Sequence, residues 1–339
     1  MLNRIICIGL LCLQNGSVCM ATDTGTLAGM PTGAMAGTRR TADDTVYATP
    51  QQRIDIGGRS LNLVCIGHGS PTVVFDSGMG DWSVSWALVQ PRIGKRTRAC
   101  GYDRAGLGFS DPSPRPSNSA NMVDDLHRLL RAGGIAPPYL LVGHSLGGLN
   151  LQLFADRHLP EVAGMVLVDA SHPQTIARVD AATNGAQTRH WKAQVRHAAD
   201  CVRWPTVGMQ STQFRAACIE PDDPRLTAAQ NATRVAIART RSYQQAQLSE
   251  ASNYLNGSSF AQAQAARRSY NALPLIVLTS GKTIIDAGPE WLHLQQDLAK
   301  LSQLGQQRTV PGAGHDIQRD APDAVAEAIE TLLDALPNQ

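Results

Sequence analysis

The chain has 339 residues, of which 43% are hydrophobic and 17% are charged, so it can form one large α/β domain or two smaller ones with a substantial core. Its 30 basic and 28 acidic residues leave a formal charge of +2, and basic residues cluster only in isolated pairs such as Arg39-Arg40. This balance gives no electrostatic reason to expect a nucleic-acid partner.

The N-terminal residues have the pattern of an export signal. Arg4 supplies a positive charge, residues 5–13 form a short apolar segment, and Cys19-Met20-Ala21 resembles a cleavage site. We therefore predict a signal peptide at residues 1–21 and an exported protein, periplasmic or extracellular; lipid attachment at Cys19 is an alternative. Residues 22–48 are rich in Gly, Ala and Thr and predict a flexible leader. No later segment approaches the ~18 apolar residues of a transmembrane helix, so no permanent membrane span is expected.

Short apolar segments alternate with helical patterns along the rest of the chain. Eight of these segments predict β-strands: Gln52–Ile56, Leu61–Ile66, Thr72–Phe75, Thr97–Tyr102, Tyr139–Val142, Val166–Val168, Leu275–Leu278 and Gln307–Val310. Gly57-Gly58 predicts a hairpin turn between the first two. Helical spacing predicts one helix through Met122 and Leu130 and a closing helix from Pro322 to Leu336. The alternation predicts a mostly parallel sheet with helices on both faces and ligands at the carboxyl ends of its strands.

One long interruption separates the sixth and seventh strands. About a hundred residues lie between Asp169 and Leu275, too many for a simple connection in a compact domain. Ala, Gln and Arg dominate much of this segment, which favours helices. We predict a helical cap at residues 174–270, inserted into a core made of residues 49–173 and 271–339. The alternative is an inserted helical segment that has no role at the ligand site.

The segment Gly143-His144-Ser145-Leu146-Gly147 matches the G-x-S-x-G nucleophile elbow. An apolar strand pattern precedes it, and apolar residues at helical spacing follow it. The two glycines allow a sharp turn that holds the serine hydroxyl at the carboxyl end of a sheet. This context predicts that Ser145 is a nucleophile, whereas the alternative is an ordinary glycine-rich turn between a strand and a helix.

Three further motifs accompany the elbow. They are Asp76-Ser77-Gly78-Met79-Gly80 after the third strand, the segment from Gly101 to Ser110 after the fourth, and Gly312-Ala313-Gly314-His315-Asp316 after the last. Together with the elbow, these motifs resemble the α/β-hydrolase family, and the resemblance extends from about Thr49 to Leu336. It implies an eight-stranded, mostly parallel α/β-hydrolase sheet with helices on both faces and a helical cap inserted between strands 6 and 7.

The resemblance also implies a role for individual residues. Ser145 would attack an acyl carbon, and His315 would accept its proton as the general base. The backbone N–H groups of Met79 and Leu146 would stabilise the developing oxyanion. His144 is adjacent to the nucleophile but is expected to point away from it. These roles require no cofactor and no metal, and the expected partner is a small-molecule acyl substrate.

Two aspartates could be the acid that would orient His315. Relatives commonly place an aspartate shortly after the seventh strand, but Asp286 comes two residues later than the usual position. Asp169 ends the sixth strand, from which some hydrolases supply this carboxylate. We favour Asp169, with Asp286 as the alternative and Glu290 as a remaining candidate. Asp169 could instead have a structural role that ends the strand and caps a loop, and a triad is recognised by its geometry, which one sequence does not show.

The cysteines fit an oxidising compartment. Three fall in the predicted signal peptide, which leaves an even number in the mature chain: Cys65, Cys100, Cys201 and Cys218. None of these has the spacing of a zinc site. In the hydrolase fold the second and fourth strands are neighbours, so the resemblance implies a Cys65–Cys100 disulfide and leaves Cys201 and Cys218 to crosslink the cap. Free buried cysteines are the alternative.

The resemblance favours a secreted serine hydrolase that cleaves a carboxylic ester through an acyl-enzyme intermediate. A serine at the elbow argues against epoxide hydrolases and haloalkane dehalogenases, which use aspartate there. An aminopeptidase, a thioesterase, a carbon–carbon bond hydrolase and a cofactor-free perhydrolase would use the same residues. A non-catalytic ligand-binding protein on the same fold is the alternative from another class.

Overall fold

The computed structural model describes residues 45–336. Its sheet contains the strands β1 (Gln52–Asp55), β2 (Ser60–Ile66), β3 (Thr72–Asp76), β4 (Ala99–Tyr102), β5 (Tyr139–His144), β6 (Val162–Val168), β7 (Leu275–Ser280) and β8 (Gly305–Val310). All eight predicted strands are present. The largest difference is at β6, which begins four residues before the predicted Val166 because parallel pairing with β5 continues past Gly164 to Val162.

The strand order is β1-β2-β4-β3-β5-β6-β7-β8. Strand β2 is antiparallel to both β1 and β4, and every other neighbouring pair is parallel. The predicted mostly parallel, eight-stranded sheet is therefore confirmed. Because β5, β6, β7 and β8 run in the same direction, their carboxyl ends meet at one edge of the sheet. The segments that contain Ser145, Asp169 and His315 all leave the sheet at that edge.

Thirteen α-helices accompany the sheet within residues 45–336. They are α1 (Gln90–Ile93), α2 (Ser119–Ala132), α3 (Ser145–His158), α4 (Thr175–Ala182), α5 (Ala186–Arg203), α6 (Thr212–Cys218), α7 (Ala228–Ala238), α8 (Arg241–Leu255), α9 (Ser258–Ala266), α10 (Gly281–Ala287), α11 (Pro289–Ala299), α12 (Ile317–Asp320) and α13 (Pro322–Ala335). Short 3-10 turns occur at Ser83–Trp86, Leu159–Glu161 and Thr206–Gln210. Helices α4 to α9 lie between β6 and β7, and residues 174–270 are called the helical insertion below.

The core consists of two layers, one on each face of the sheet. Alternate strand residues such as Leu141, Leu167 and Val277 pack against α2, α3 and α11. Their neighbours in sequence, such as Val142 and Val168, point to the opposite face and pack against α1 and α13. This alternation follows from the two-residue period of a strand, and it confirms that helices cover both faces.

The packed chain extends slightly beyond the predicted core. Tyr47, within the predicted leader, is 1% exposed, and its hydroxyl donates a hydrogen bond of 3.0 Å to Gln90. Residues 45–48 are therefore part of the fold, and their prediction as leader does not hold. The predicted signal peptide at residues 1–21 and the leader up to residue 44 lie outside the described residues. Among residues 45–336, the structure contains no helix with the length and hydropathy of a membrane span.

Both expected cysteine pairs form disulfides. Cys65 of β2 lies directly opposite Cys100 of β4, with their Cα atoms 4.1 Å apart. Cys201 of α5 is joined to Cys218 of α6, and these Cα atoms are 5.8 Å apart. The first disulfide crosslinks two strands of the sheet. The second crosslinks two helices of the helical insertion, where it limits the freedom of the unfolded chain.

Candidate active site

Ser145 is located at the sharp turn between β5 and α3. Its backbone φ is +52°, a left-handed conformation that a side chain other than glycine rarely adopts and that the surrounding structure must enforce. Gly147 is required at this turn because a Cβ there would lie 2.3 Å from the carbonyl oxygen of Asp76. The elbow motif therefore forms the strained strand-to-helix turn that the sequence predicts.

A continuous chain of hydrogen bonds connects Ser145, His315 and Asp169. His315 Nε2 is 2.9 Å from the hydroxyl oxygen of Ser145, and His315 Nδ1 is 2.7 Å from Asp169 Oδ2. His315 follows β8, and Asp169 follows β6 with a φ of +42° that turns its side chain toward His315. The three residues thus have the contacts of a Ser-His-Asp triad.

Asp169 is completely buried and fully hydrogen-bonded. In addition to His315, its carboxylate accepts the N–H of Ser280 at 3.0 Å, the hydroxyl of Thr283 at 2.8 Å and the indole N–H of Trp291 at 2.8 Å. These donors satisfy the buried charge and fix the carboxylate plane. The acid position opposite His315 is therefore rigid.

The two other candidate acids lie elsewhere. Asp286 is an exposed residue of α10, the helix that begins directly after β7. Glu290, in the first turn of α11, pairs with Arg178 of α4 and lies 3.2 Å from His293. Of the three candidates, the structure places Asp169 against His315.

The environment of His315 favours its protonated form. Burial lowers the pKa of the imidazole, but the hydrogen bond and charge of Asp169, together with the charge of Asp316, raise it above its usual value. Desolvation would raise the pKa of Asp316, yet neighbouring His144 and Arg319 lower it to about 2. The site therefore stabilises an imidazolium, which is the state that His315 would reach after accepting a proton.

His144 is closer to the site than the sequence indicates. Its ring centre lies 4.7 Å from that of His315, and its Nε2 is 3.0 Å from the His315 carbonyl oxygen. Burial and the nearby His315 lower its pKa to about 4, so it is neutral at neutral pH. A neutral His144 can donate its Nε2–H to the His315 carbonyl oxygen and so hold the loop that carries His315. His144 was expected to point away from Ser145, and the contacts that its ring makes in the structure are with His315.

The two expected oxyanion donors belong to two segments near Ser145. Leu146 begins the first turn of α3, where backbone N–H groups have no partner within the helix. Met79 belongs to the loop after β3, called the oxyanion loop below (residues 77–81). That loop passes directly over Ser145, since a Cβ added at Gly78 would lie 3.5 Å from the Ser145 Cβ. Two N–H groups can thus face an oxygen bound above the serine.

A cavity of about 170 Å³ lies above Ser145, between the sheet edge and the helical insertion. Apolar and aromatic side chains contribute to its lining, among them Met79, Trp82, Trp191 and Tyr254. Charged side chains contribute as well: Asp81, Glu220, Arg234, Asp316 and Arg319. The helical insertion supplies about half of this lining, including the Cys201–Cys218 disulfide. Its helices therefore form part of the wall of this cavity.

Among the described residues, one cluster has the side chains of a metal site. His127, His158 and Glu161 have potential ligand atoms within 4.8 Å of one another. His158 ends α3, the helix that Ser145 begins, and thirteen residues at 1.5 Å each separate them by about 20 Å. This cluster is therefore remote from Ser145, His315 and Asp169.

Comparison with known proteins identifies the family. Residues 63–328 match the model of the Alpha/beta hydrolase family, a span that covers most of the chain. The chain belongs to the alpha/beta hydrolase family. This alpha/beta hydrolase is similar over 84% of its length to the crystal structure of ALR0039 from Nostoc sp. PCC 7120, with a TM-score of 0.68, 18% identity and 98% of that chain covered. It is also similar to the epoxide hydrolase CorEH, with a TM-score of 0.59, 17% identity, and 85% and 98% of the two chains covered.

Curated relatives match this alpha/beta hydrolase over different spans. An uncharacterized protein of Schizosaccharomyces pombe is 42% identical over 114 residues, which are 34% of this chain and 21% of that protein. YqjL of Bacillus subtilis is 36% identical over 103 residues, 30% and 41% of the two chains. These alignments span about a fifth to two fifths of those relatives. The 2-(acetamidomethylene)succinate hydrolase of Mesorhizobium japonicum is 25% identical over 84% of this chain and 95% of that one.

Proposed function

We propose that the protein is a serine hydrolase that cleaves a carboxylic ester through an acyl-enzyme intermediate. One observation is the main support: the hydrogen-bond chain from Asp169 through His315 to a serine held at a left-handed turn. A hydroxyl is a weak nucleophile until an adjacent base accepts its proton, and this arrangement supplies that base already oriented by a carboxylate.

The reaction follows from these contacts. His315 Nε2 accepts the Ser145 proton while the serine oxygen bonds to the acyl carbon, and the carbonyl electron pair moves to the oxygen. The N–H groups of Met79 and Leu146 donate to that oxyanion. When the tetrahedral intermediate collapses, His315 returns the proton to the departing alkoxide, and an acyl-serine ester remains. Water then repeats both steps with His315 as the base, which releases the acid and restores the serine.

The cavity favours a small substrate. Its volume of about 170 Å³ is below the ~300–1,000 Å³ of sites for drug-sized ligands. Charged residues occupy part of its wall, and burying a long alkyl chain against them would leave them without solvent. We therefore propose short-chain esters as substrates. The predicted signal peptide and the two disulfides support an exported enzyme.

The named substrate of the Mesorhizobium relative is a succinate, a dicarboxylate, and it is not transferred to this chain. The two arginines that line the cavity already pair with carboxylates. Arg234 lies 3.0 Å from Glu220, and Arg319 is bonded to Asp81. A dicarboxylate would have to compete with these partners, so a neutral ester suits the cavity better.

Covalent labelling and an ester series test the proposal. A fluorophosphonate probe should modify the wild-type protein and leave Ser145→Ala unmodified. Hydrolysis of p-nitrophenyl esters should be fastest for the acetate or butyrate and should decline steeply at the octanoate. An acyl thioester and an aminoacyl p-nitroanilide distinguish thioesterase and aminopeptidase activity. Absence of labelling in the folded wild-type protein would contradict the proposal and favour a non-catalytic binding protein.

A further inference from the structure

The helical insertion holds the oxyanion loop through one face of α8. Tyr243, Gln247 and Glu250 are spaced four and three residues apart, so they share that face. The Tyr243 hydroxyl donates to the carbonyl oxygen of Gly80 at 3.0 Å, and the Gly80 N–H donates to Glu250 Oε2 at 2.8 Å. Both backbone polar groups of Gly80, next to Met79 in sequence, are therefore bonded to the insertion.

Arg104, in the loop after β4, binds the residues that precede Met79 in the oxyanion loop. Its Nη2 donates to the carbonyl oxygen of Gly78 at 2.6 Å, and its Nη1 donates to that of Ser77 at 2.6 Å. Glu250 in turn accepts from Arg104 Nε at 2.7 Å and from Nη2 at 3.1 Å. The pair is almost completely buried, with Arg104 3% and Glu250 2% exposed. One carboxylate thus fixes both the guanidinium and the Gly80 amide.

The planarity of the peptide bond connects these contacts to the proposed chemistry. The Gly78 carbonyl and the Met79 N–H belong to the same trans peptide unit, so they point in opposite directions. When Arg104 holds the carbonyl, it also sets the direction of the N–H. We propose that Glu250 is a positioning residue that, through Arg104 and Gly80, aims the Met79 N–H at the oxyanion. This inference rests on the proposed function of Ser145.

A carboxylate is required at position 250 because every group facing it is a donor. Oε1 faces the Nε–H of Arg104, and Oε2 faces both the Nη2–H of Arg104 and the Gly80 N–H. A glutamine would direct its NH₂ group at one of these donors and break the contact. Burial would lower the pKa of Arg104, but the charges of Glu250 and Asp76 raise it above its usual value, so the guanidinium stays charged.

The experiment compares Glu250→Gln and Arg104→Lys with the wild type. Lysine keeps the charge but lacks the planar fork that reaches two carbonyl oxygens. Loss of an oxyanion donor costs about 10²–10³ in kcat, and a misdirected donor retains part of its effect. We expect kcat for the preferred ester to fall at least ~10-fold, with the fluorophosphonate labelling rate falling in parallel and KM changing less than ~3-fold.

Two further readouts separate positioning from general damage. The acidic limb of the pH profile should stay where it is in the wild type, because Asp169 and His315 are not touched. Asp125→Asn is the matched control: Asp125 is a buried carboxylate of α2 that pairs with Arg59 and Arg115. It should lower the melting temperature while leaving kcat within ~2-fold of the wild type.

Each outcome bears on the inference separately from the proposed function. If the wild type does not react with the fluorophosphonate, the proposed function fails. If the wild type reacts and folded Glu250→Gln reacts equally fast, the positioning role is overturned. Should Glu250→Gln not fold, Tyr243→Phe removes the hydroxyl that donates to the Gly80 carbonyl and accepts from Gln247 Nε2; we expect a ~2- to 10-fold lower kcat with parallel loss of labelling, and an unchanged kcat would overturn the role.

Discussion

Replacement of Asp169 by asparagine should disable the proposed base without changing its position. Oδ1 accepts two N–H groups that cannot become acceptors, the backbone of Ser280 and the indole of Trp291. The asparagine oxygen must therefore take the Oδ1 position, and its NH₂ group then faces His315 Nδ1, 2.7 Å from the replaced Oδ2. Since two donors cannot bond, the imidazole must carry its proton on Nε2 and accept at Nδ1.

That tautomer cannot accept the proton of Ser145, because Nε2 is already protonated. An aspartate-to-asparagine exchange of this kind costs about 10⁴ in kcat in a serine protease triad, or about 5.4 kcal/mol of transition-state stabilisation at 1.36 kcal/mol per tenfold. We expect a loss of the same order. KM should change little, because Asp169 is completely buried and does not line the cavity.

The assay is steady-state hydrolysis of the preferred p-nitrophenyl ester, with thermal melts to verify folding. Asp286→Asn is the control, and it should retain kcat within about 2-fold because Asp286 is an exposed residue of α10. If folded Asp169→Asn keeps more than a tenth of the wild-type kcat, the tautomer argument is refuted. If Asp286→Asn loses activity instead, Asp286 and not Asp169 orients the base.

Three other changes have defined consequences. The charge of Asp316 raises the pKa of His315, so Asp316→Asn should lower that pKa and let activity persist to a lower pH. The acidic limb of the pH–rate profile should shift by less than about one unit, because the Asp316 side chain is 43% exposed and solvent screens its charge. Gly147→Ala should lower the free energy of unfolding by ~2 kcal/mol or more and abolish labelling, because its Cβ would meet backbone carbonyl oxygens at 2.3 and 2.5 Å; a normal denaturation midpoint would contradict this. Replacing Cys201 and Cys218 by serine opens a 17-residue loop and should cost about 3 kcal/mol in urea denaturation, whereas an unchanged midpoint would show that the helical insertion does not need the crosslink.

The elbow could be predicted from the sequence because its geometry is local. A strand, a sharp turn and a helix are all encoded within about fifteen residues, and only glycine fits where Gly147 approaches the backbone of Asp76. The acid could not be settled in this way. Asp169 and Asp286 both follow strands that end at the same edge of the sheet, β6 and β7. A helix begins at once after β7 and carries Asp286 to the surface, whereas the positive φ of Asp169 turns it inward.

The residues of α8 that support the oxyanion loop gave no recognisable signal in the sequence. Glu250 is 170 residues from Gly80 in the chain, so their contact depends on how the helical insertion docks on the core. Along α8, Tyr243, Gln247 and Glu250 form a polar stripe, and such a stripe predicts a face exposed to solvent. In the structure Tyr243 and Glu250 on this stripe are instead buried, because each finds a partner on the loop. A buried polar face of this kind can be recognised only once its partners are known.

Under the proposed function, these contacts would give the helical insertion two roles in the same reaction. Its helices supply part of the cavity wall and would limit the size of the substrate, while α8 holds the peptide that would stabilise the oxyanion. Substrate selection and transition-state stabilisation would then be linked through one helix. A substrate that displaces α8 would also release Gly80 and misdirect the Met79 N–H, so a poorly fitting ester would lose kcat in addition to affinity. Such coupling would make the enzyme more selective than exclusion by cavity volume alone. The fit of the substrate would then affect stabilisation of the oxyanion in the transition state as well as binding.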